Sequence, residues 1–86
     1  MAVSTILNNK WSDLGQSVKN LDTLLGVTGS GYTNNATGIP SGAGNGTVLV
    51  FKSGTVTTQI YLPYNGAQRP QFRQYAGSWT AWHTLY

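Results

Sequence analysis

Glycine-centred turn signals at Ser53-Gly54, Asn65-Gly66 and Gly77-Ser78 divide the last forty residues into four runs of six to eight residues. Runs that short, bounded by glycine and rich in Thr, Val, Ile and aromatics, suit strands and are too short for independent helices. Thr47–Lys52 and Thr55–Leu62, joined at Ser53-Gly54, read as a hairpin. In its second arm Val56, Thr58, Ile60 and Leu62 share one face, and Thr57, Gln59 and Tyr61 share the other. Pro63 lacks a backbone donor and ends that arm. Gln68–Tyr75 and Trp79–Tyr86 supply the third and fourth strands. The expected fold is mainly β, a small knob built on an antiparallel β-meander.

The closing run is apolar on both faces. Alternation puts Trp79, Ala81, His83 and Leu85 on one side, and Thr80, Trp82, Thr84 and Tyr86 on the other. The expectation is that Trp79 and Leu85 close the core while Trp82 and Tyr86 meet a neighbouring subunit. Four short strands cannot bury two faces alone. With 86 residues and no cysteine, the chain forms one small domain without disulfides, for which oligomerisation is the common support.

Charge is scarce. Lys, Arg, Asp and Glu make up 8% of the chain and none is glutamate, against about a quarter in an average soluble domain. Solubility rests instead on Thr, Ser, Asn, Gln and the eleven glycines. The net charge of +3 is spread over Lys10, Lys19, Lys52, Arg69 and Arg73, with no basic run of the kind nucleic-acid binding requires. No apolar stretch approaches 18 residues, so no membrane insertion is expected. The N-terminus lacks the basic start and apolar core of a secretory signal.

Upstream the pattern changes. Leu7, Trp11, Leu14, Val18, Leu21 and Leu25 are spaced 4, 3, 4, 3, 4, a heptad stripe. It predicts an N-terminal helical stalk or linker over residues 1–20, preceding a β domain over 21–86. Three forms are open: a coiled coil joining three subunits, a single amphipathic helix lying on the knob, or an extended or mixed segment. The stripe would then form the oligomer interface together with Trp82 and Tyr86. Between 26 and 46 the chain is glycine-rich and aperiodic, anchored by Tyr32 and Ile39 to the core or packed in a groove between subunits.

Catalytic constellations are absent. Asp13 and Asp22 are the only carboxylates and His83 the only histidine, so neither a carboxylate pair, a supported triad nor a metal set can be assembled. No enzyme activity, metal or cofactor is expected. What is abundant is aromatic and amide chemistry. Tyr64, Asn65, Gln68, Arg69, Arg73 and Tyr75 are types that bind sugars: rings stack on pyranose C–H faces, while amides and guanidinium groups bond hydroxyls and carboxylates. Arg69, beside the Asn-Gly turn, is the leading candidate.

In order along the chain, Leu21-Asp22-Thr23-Leu24, Gly31-Tyr32, Pro40-Ser41-Gly42, Gly46–Val50, Thr58–Tyr61, Arg69 and Arg73, and the closing Gly77–Leu85 run resemble the knob domain of R-type pyocin tail fibres and related bacteriophage tail fibres and tailspikes. The resemblance covers residues 21–86, and its most specific part is the Trp-x-x-Trp-basic-x-Leu ending. His83 stands where the family usually has arginine. The resemblance implies a homotrimeric knob on a virion tail fibre or tailspike, extracellular, with a further fibre or tailspike segment upstream. It also implies adhesion to a bacterial surface glycan, lipopolysaccharide or capsule, or, alternatively, a purely structural trimerisation role.

Overall fold

The structure is a computed structural model and describes residues 11–86. It is mainly β, and among the described residues there is no α-helix. The strands are β1 (Ser12–Asp13), β2 (Val18–Asn20), β3 (Gly29–Thr37), β4 (Gly46–Ser53), β5 (Val56–Pro63), β6 (Gln71–Tyr75) and β7 (His83–Thr84). They form one sheet in the order β1-β3-β4-β5-β6-β7, with β2 also paired to β3. From β3 to β7 every pairing is antiparallel, as a meander requires. The β4–β5 hairpin is the backbone of the sheet, in register from Gly46↔Pro63 to Ser53↔Val56. Its loop turns at Gly54, whose φ of 61° a side chain would resist.

The N-terminal segment is not a helix over its described part. β1 and β2 run parallel to β3 along the same edge, two pieces of one interrupted strand. The predicted helix fails for local reasons. Asp13 Oδ1 accepts the Gly15 N–H at 2.9 Å and Asn20 Oδ1 accepts the Asp22 N–H at 3.0 Å. Such side chain-to-backbone bonds compete with helical ones, and Gly15 sits at φ 88°. The stripe nevertheless marked apolar residues correctly. Val18 and Leu21 are buried core, and Leu14 and Leu24 pack against it. They close the chain's own interior rather than forming a stalk, and Leu7 lies outside the described residues. Residues 12–20 belong to the same sheet as 21–86.

The aperiodic stretch holds a nine-residue strand, β3. Its glycines hid it from a periodicity argument and are what the packing needs. A Cβ on Gly31 would lie 2.7 Å from Val18 Cγ2 and 2.8 Å from Leu14 Cβ. The N-terminal segment can cross β3 only where β3 has no side chain.

The buried face of the sheet carries Gly29, Gly31 and Thr33 of β3, Val48 and Val50 of β4, Thr57, Gln59 and Tyr61 of β5, and Arg73 of β6. The more polar face of β5 is therefore the inner one. Val56 and Ile60, on the other side, stay half-buried and Leu62 is exposed.

Candidate functional site

Two groupings collect the residues with chemistry. The first is internal. Gln59, fully buried, donates from Nε2 to the main-chain oxygens of Leu21 and Leu24 at 2.8 and 3.1 Å. Its Oε1 accepts from Arg73 Nε at 3.0 Å. The Arg73 guanidinium lies 3.9 Å from the Trp79 ring centre and 4.7 Å from that of Trp82, and pairs with Asp22 Oδ1 at 2.9 Å. Trp79 Nε1 donates to the Asp22 main-chain oxygen, and Trp82 Nε1 to that of Gly38, both at 3.1 Å. Burial pushes the Arg73 guanidinium below its ordinary pKa, and the hydrogen bond and charge of Asp22 oppose that shift. One cation thus ties the N-terminal segment, β5, β6 and the C-terminal run together. It is 5% exposed, which takes Arg73 out of reach of a sugar.

The closing run is not one strand. Only His83–Thr84 pair as β7, with an isolated bridge at Tyr75↔Trp79. The irregular stretch between them breaks the alternation, so Trp79 and Trp82 both face Arg73 from the core side. Trp82 accordingly packs within its own chain against the core cluster, while Leu85 is 48% exposed, the reverse of the arrangement expected for these two. Tyr75 lies edge-on to Trp79, ring centres 5.2 Å apart, at the far end of β6 from Arg69.

The second grouping is an open cleft of about 480 Å³ at the β5–β6 corner. Pro63 ends β5, and Tyr64–Gly66 form a single 3-10 turn in which Asn65 takes φ 59°. Asparagine tolerates that left-handed conformation better than most residues. The turn is held by Tyr64 N–H on the Asn45 oxygen at 3.0 Å. Leu62, Pro63, Pro70 and the Tyr86 ring form an apolar wall, with Gln68 and Arg69 on the same cleft. Gln68 Nε2 donates to the Gly42 oxygen at 3.1 Å. Arg69 Nη1 donates to the Tyr86 main-chain oxygen at 3.2 Å, and its guanidinium sits 5.7 Å from the Tyr86 ring centre. Leu85 N–H bonds the Pro70 oxygen at 3.0 Å, fixing the chain end against β6.

Of the six predicted sugar contacts, Gln68 and Arg69 line the cleft, and Asn65 and Tyr64 lie on the adjoining turn. Tyr64 is 62% exposed and meets Tyr32 edge-on, ring centres 6.3 Å apart. Arg73 and Tyr75 are elsewhere. Tyr86, expected at a subunit contact, is 73% exposed and forms the cleft's aromatic wall. Trp11, 44% exposed, donates from Nε1 to Ser30 Oγ at 3.3 Å. The two prolines flanking the Asn-Gly turn were the available sequence signal for a shaped corner. Among the described residues no three His, Cys, Asp or Glu side chains gather where a metal ion could sit. Both carboxylates are engaged, Asp13 with its own turn and Asp22 with Arg73. No helix among the described residues is long and apolar enough to cross a membrane.

Neither a family model, a curated protein nor a solved structure matches the chain.

Proposed function

We propose that this chain is a non-catalytic receptor-binding knob of a phage-type tail fibre or tailspike, homotrimeric and adhering to bacterial surface polysaccharide. The observation that carries the reading is the corner cleft. It combines an exposed aromatic ring, proline and leucine surface, a carboxamide and a guanidinium within one opening. Those are the elements a pyranose uses: a flat C–H face for the ring, and hydroxyls or a carboxylate for the amide and cation. The cleft is within the size range of small-ligand sites. Lipopolysaccharide and capsule both supply acidic sugars, which suits an arginine with no Asp or Glu partner among the described residues. The resemblance over residues 21–86 points the same way.

Arg69→Ala tests it. A charge-assisted hydrogen bond is worth about 1.5–3 kcal/mol, so binding to host polysaccharide should weaken at least about tenfold by titration calorimetry, with folding and assembly unchanged. Unaltered glycan binding would remove the cleft from consideration.

A second reading is favoured by a different observation. The outer face of the sheet carries the half-buried Leu49, Phe51, Ile60 and Phe72 and the exposed Leu62, which suits a domain whose work is to hold three chains together. In that case the chain drives assembly of an upstream fibre or depolymerase and has no ligand of its own. Host polysaccharides that bind the intact trimer at no site decide for this reading.

A further inference from the structure

The outer face of the sheet is built like an interface. Leu49, Ile60 and Phe72 form a continuous row across β4, β5 and β6 through successive register pairs. Phe51 and Leu62 extend it along the same face. None of these five side chains belongs to or packs on the core cluster. Leu49, Phe51, Ile60 and Phe72 are only half-buried, and Leu62 is 39% exposed. Beside Phe72 on this face lies His83 of β7, ring centres 5.8 Å apart.

We propose that copies of this chain meet through this face, so that it is the subunit interface of the assembly. The inference rests on the homotrimer proposed above and names the surface that makes it. Three observations favour a second copy over other occupants. First, over β4, β5 and β6 the face carries no Asp, Glu, Lys or Arg: Lys52 alternates to the other side, Arg69 lies in the corner loop, and Asp13 enters the row only at the β1 edge, through Ser30. A contact between identical surfaces near a symmetry axis brings like against like, so an uncharged face is self-compatible where a charged one is not. An acidic polymer would instead call for cations there. Second, the polar groups on the face are neutral and partly satisfy each other, as in the Gln74 Nε2 bond to Thr58 Oγ1 at 3.2 Å. Burying them leaves no unpaired charge. Third, the patch has the extent of an interface centre. β4, β5 and β6 are eight, eight and five residues long, which at about 3.3 Å per residue and about 4.8 Å between strands gives roughly 330 Å² in projection. A standard interface of roughly 800 Å² per partner has such an apolar centre and a polar rim around it.

The test uses the full chain and sedimentation equilibrium. Wild type is expected as a trimer, and Ile60→Lys as a folded single chain of 9.2 kDa, since the side chain does not touch the core. If Ile60→Lys fails to fold, Ile60→Thr, which keeps the β-branch and loses apolar area, decides by its weaker trimer dissociation constant. A wild-type trimer that neither substitution weakens overturns the face while leaving the trimer intact. A monomeric wild type overturns both. The chain has no cysteine, so Thr47→Cys places a single reporter on this face. Its maleimide labelling should be slow in the trimer and fast on dilution. Shielding that persists in diluted monomer means that another part of the same chain covers the face, and overturns the proposal.

Discussion

Gln59 shows how a polar residue becomes the centre of a small core. A carboxamide fully removed from water is costly unless all its bonds are made, and here Leu21, Leu24 and Arg73 make them. Gln59→Leu removes no volume worth speaking of, yet orphans two carbonyls and one guanidinium N–H. It should destabilise the fold by about 3 kcal/mol, read as a lower urea midpoint at unchanged slope. Tyr61 is the other internal hub. Its phenol donates to the Gly44 oxygen at 2.6 Å and lies 2.7 Å from Thr33 Oγ1, which accepts the Gly46 N–H at 2.9 Å. Burial pushes the Tyr61 phenol above its ordinary pKa, against the smaller effect of the Thr33 bond. A folded pKa raised above the unfolded value of about 10 contributes stability that is present below that pH and is lost as pH rises through the folded value. Stability should therefore fall with pH above about 10, and in Tyr61→Phe that fall should be shallower by chemical denaturation across the alkaline range.

At the scale of elements, the four C-terminal runs became strands where turn chemistry and alternation agree. The hairpin β4–β5 matches its expected limits within a residue or two at each end, because Gly54 and Pro63 act locally. The N-terminal segment was misread because a 4-3 spacing of apolar residues has two physical causes. It marks one side of a helix, but a looping strand that returns its apolar side chains to one core gives the same spacing. Asp13 and Asn20, both engaged in their own turns, decide between the two here. β3 was illegible for the opposite reason. Gly29 and Gly31 carry no side chain to show a period, and they exist to admit the segment above them. Gly31→Ala should displace that segment at a cost of about 1–3 kcal/mol. Hydrogen exchange would report it as lost protection of the Tyr32 amide, which bonds the Gly15 oxygen at 2.9 Å.

For the whole molecule, both faces of the sheet carry apolar side chains, and the described residues close the inner one. The N-terminal segment, the 38–45 loop and the two tryptophans close the inner face around Arg73. On the proposed assembly the outer face meets other copies, so stability and assembly should be linked by mass action. The thermal midpoint of the wild type should rise with protein concentration, and a midpoint independent of concentration over two decades would count against the assembly. Much was determined by the sequence alone: a mainly β domain, the positions of its tight turns, and the strands of the β4–β5 hairpin. Those follow from local sterics and composition. The corner holding Gln68 and Arg69 was legible too, since the turn and its prolines are contiguous. Only the tertiary structure decided which face of β5 is inside, that Arg73 is a core cation rather than a ligand contact, and that Tyr86 stands beside Arg69. Each depends on residues far apart in the chain: Asp22 with Arg73, Leu21 with Gln59, Arg69 with Tyr86. Alternation assigns side chains to two faces but cannot say which one the rest of the chain will cover, because that depends on where buried polar groups find their partners.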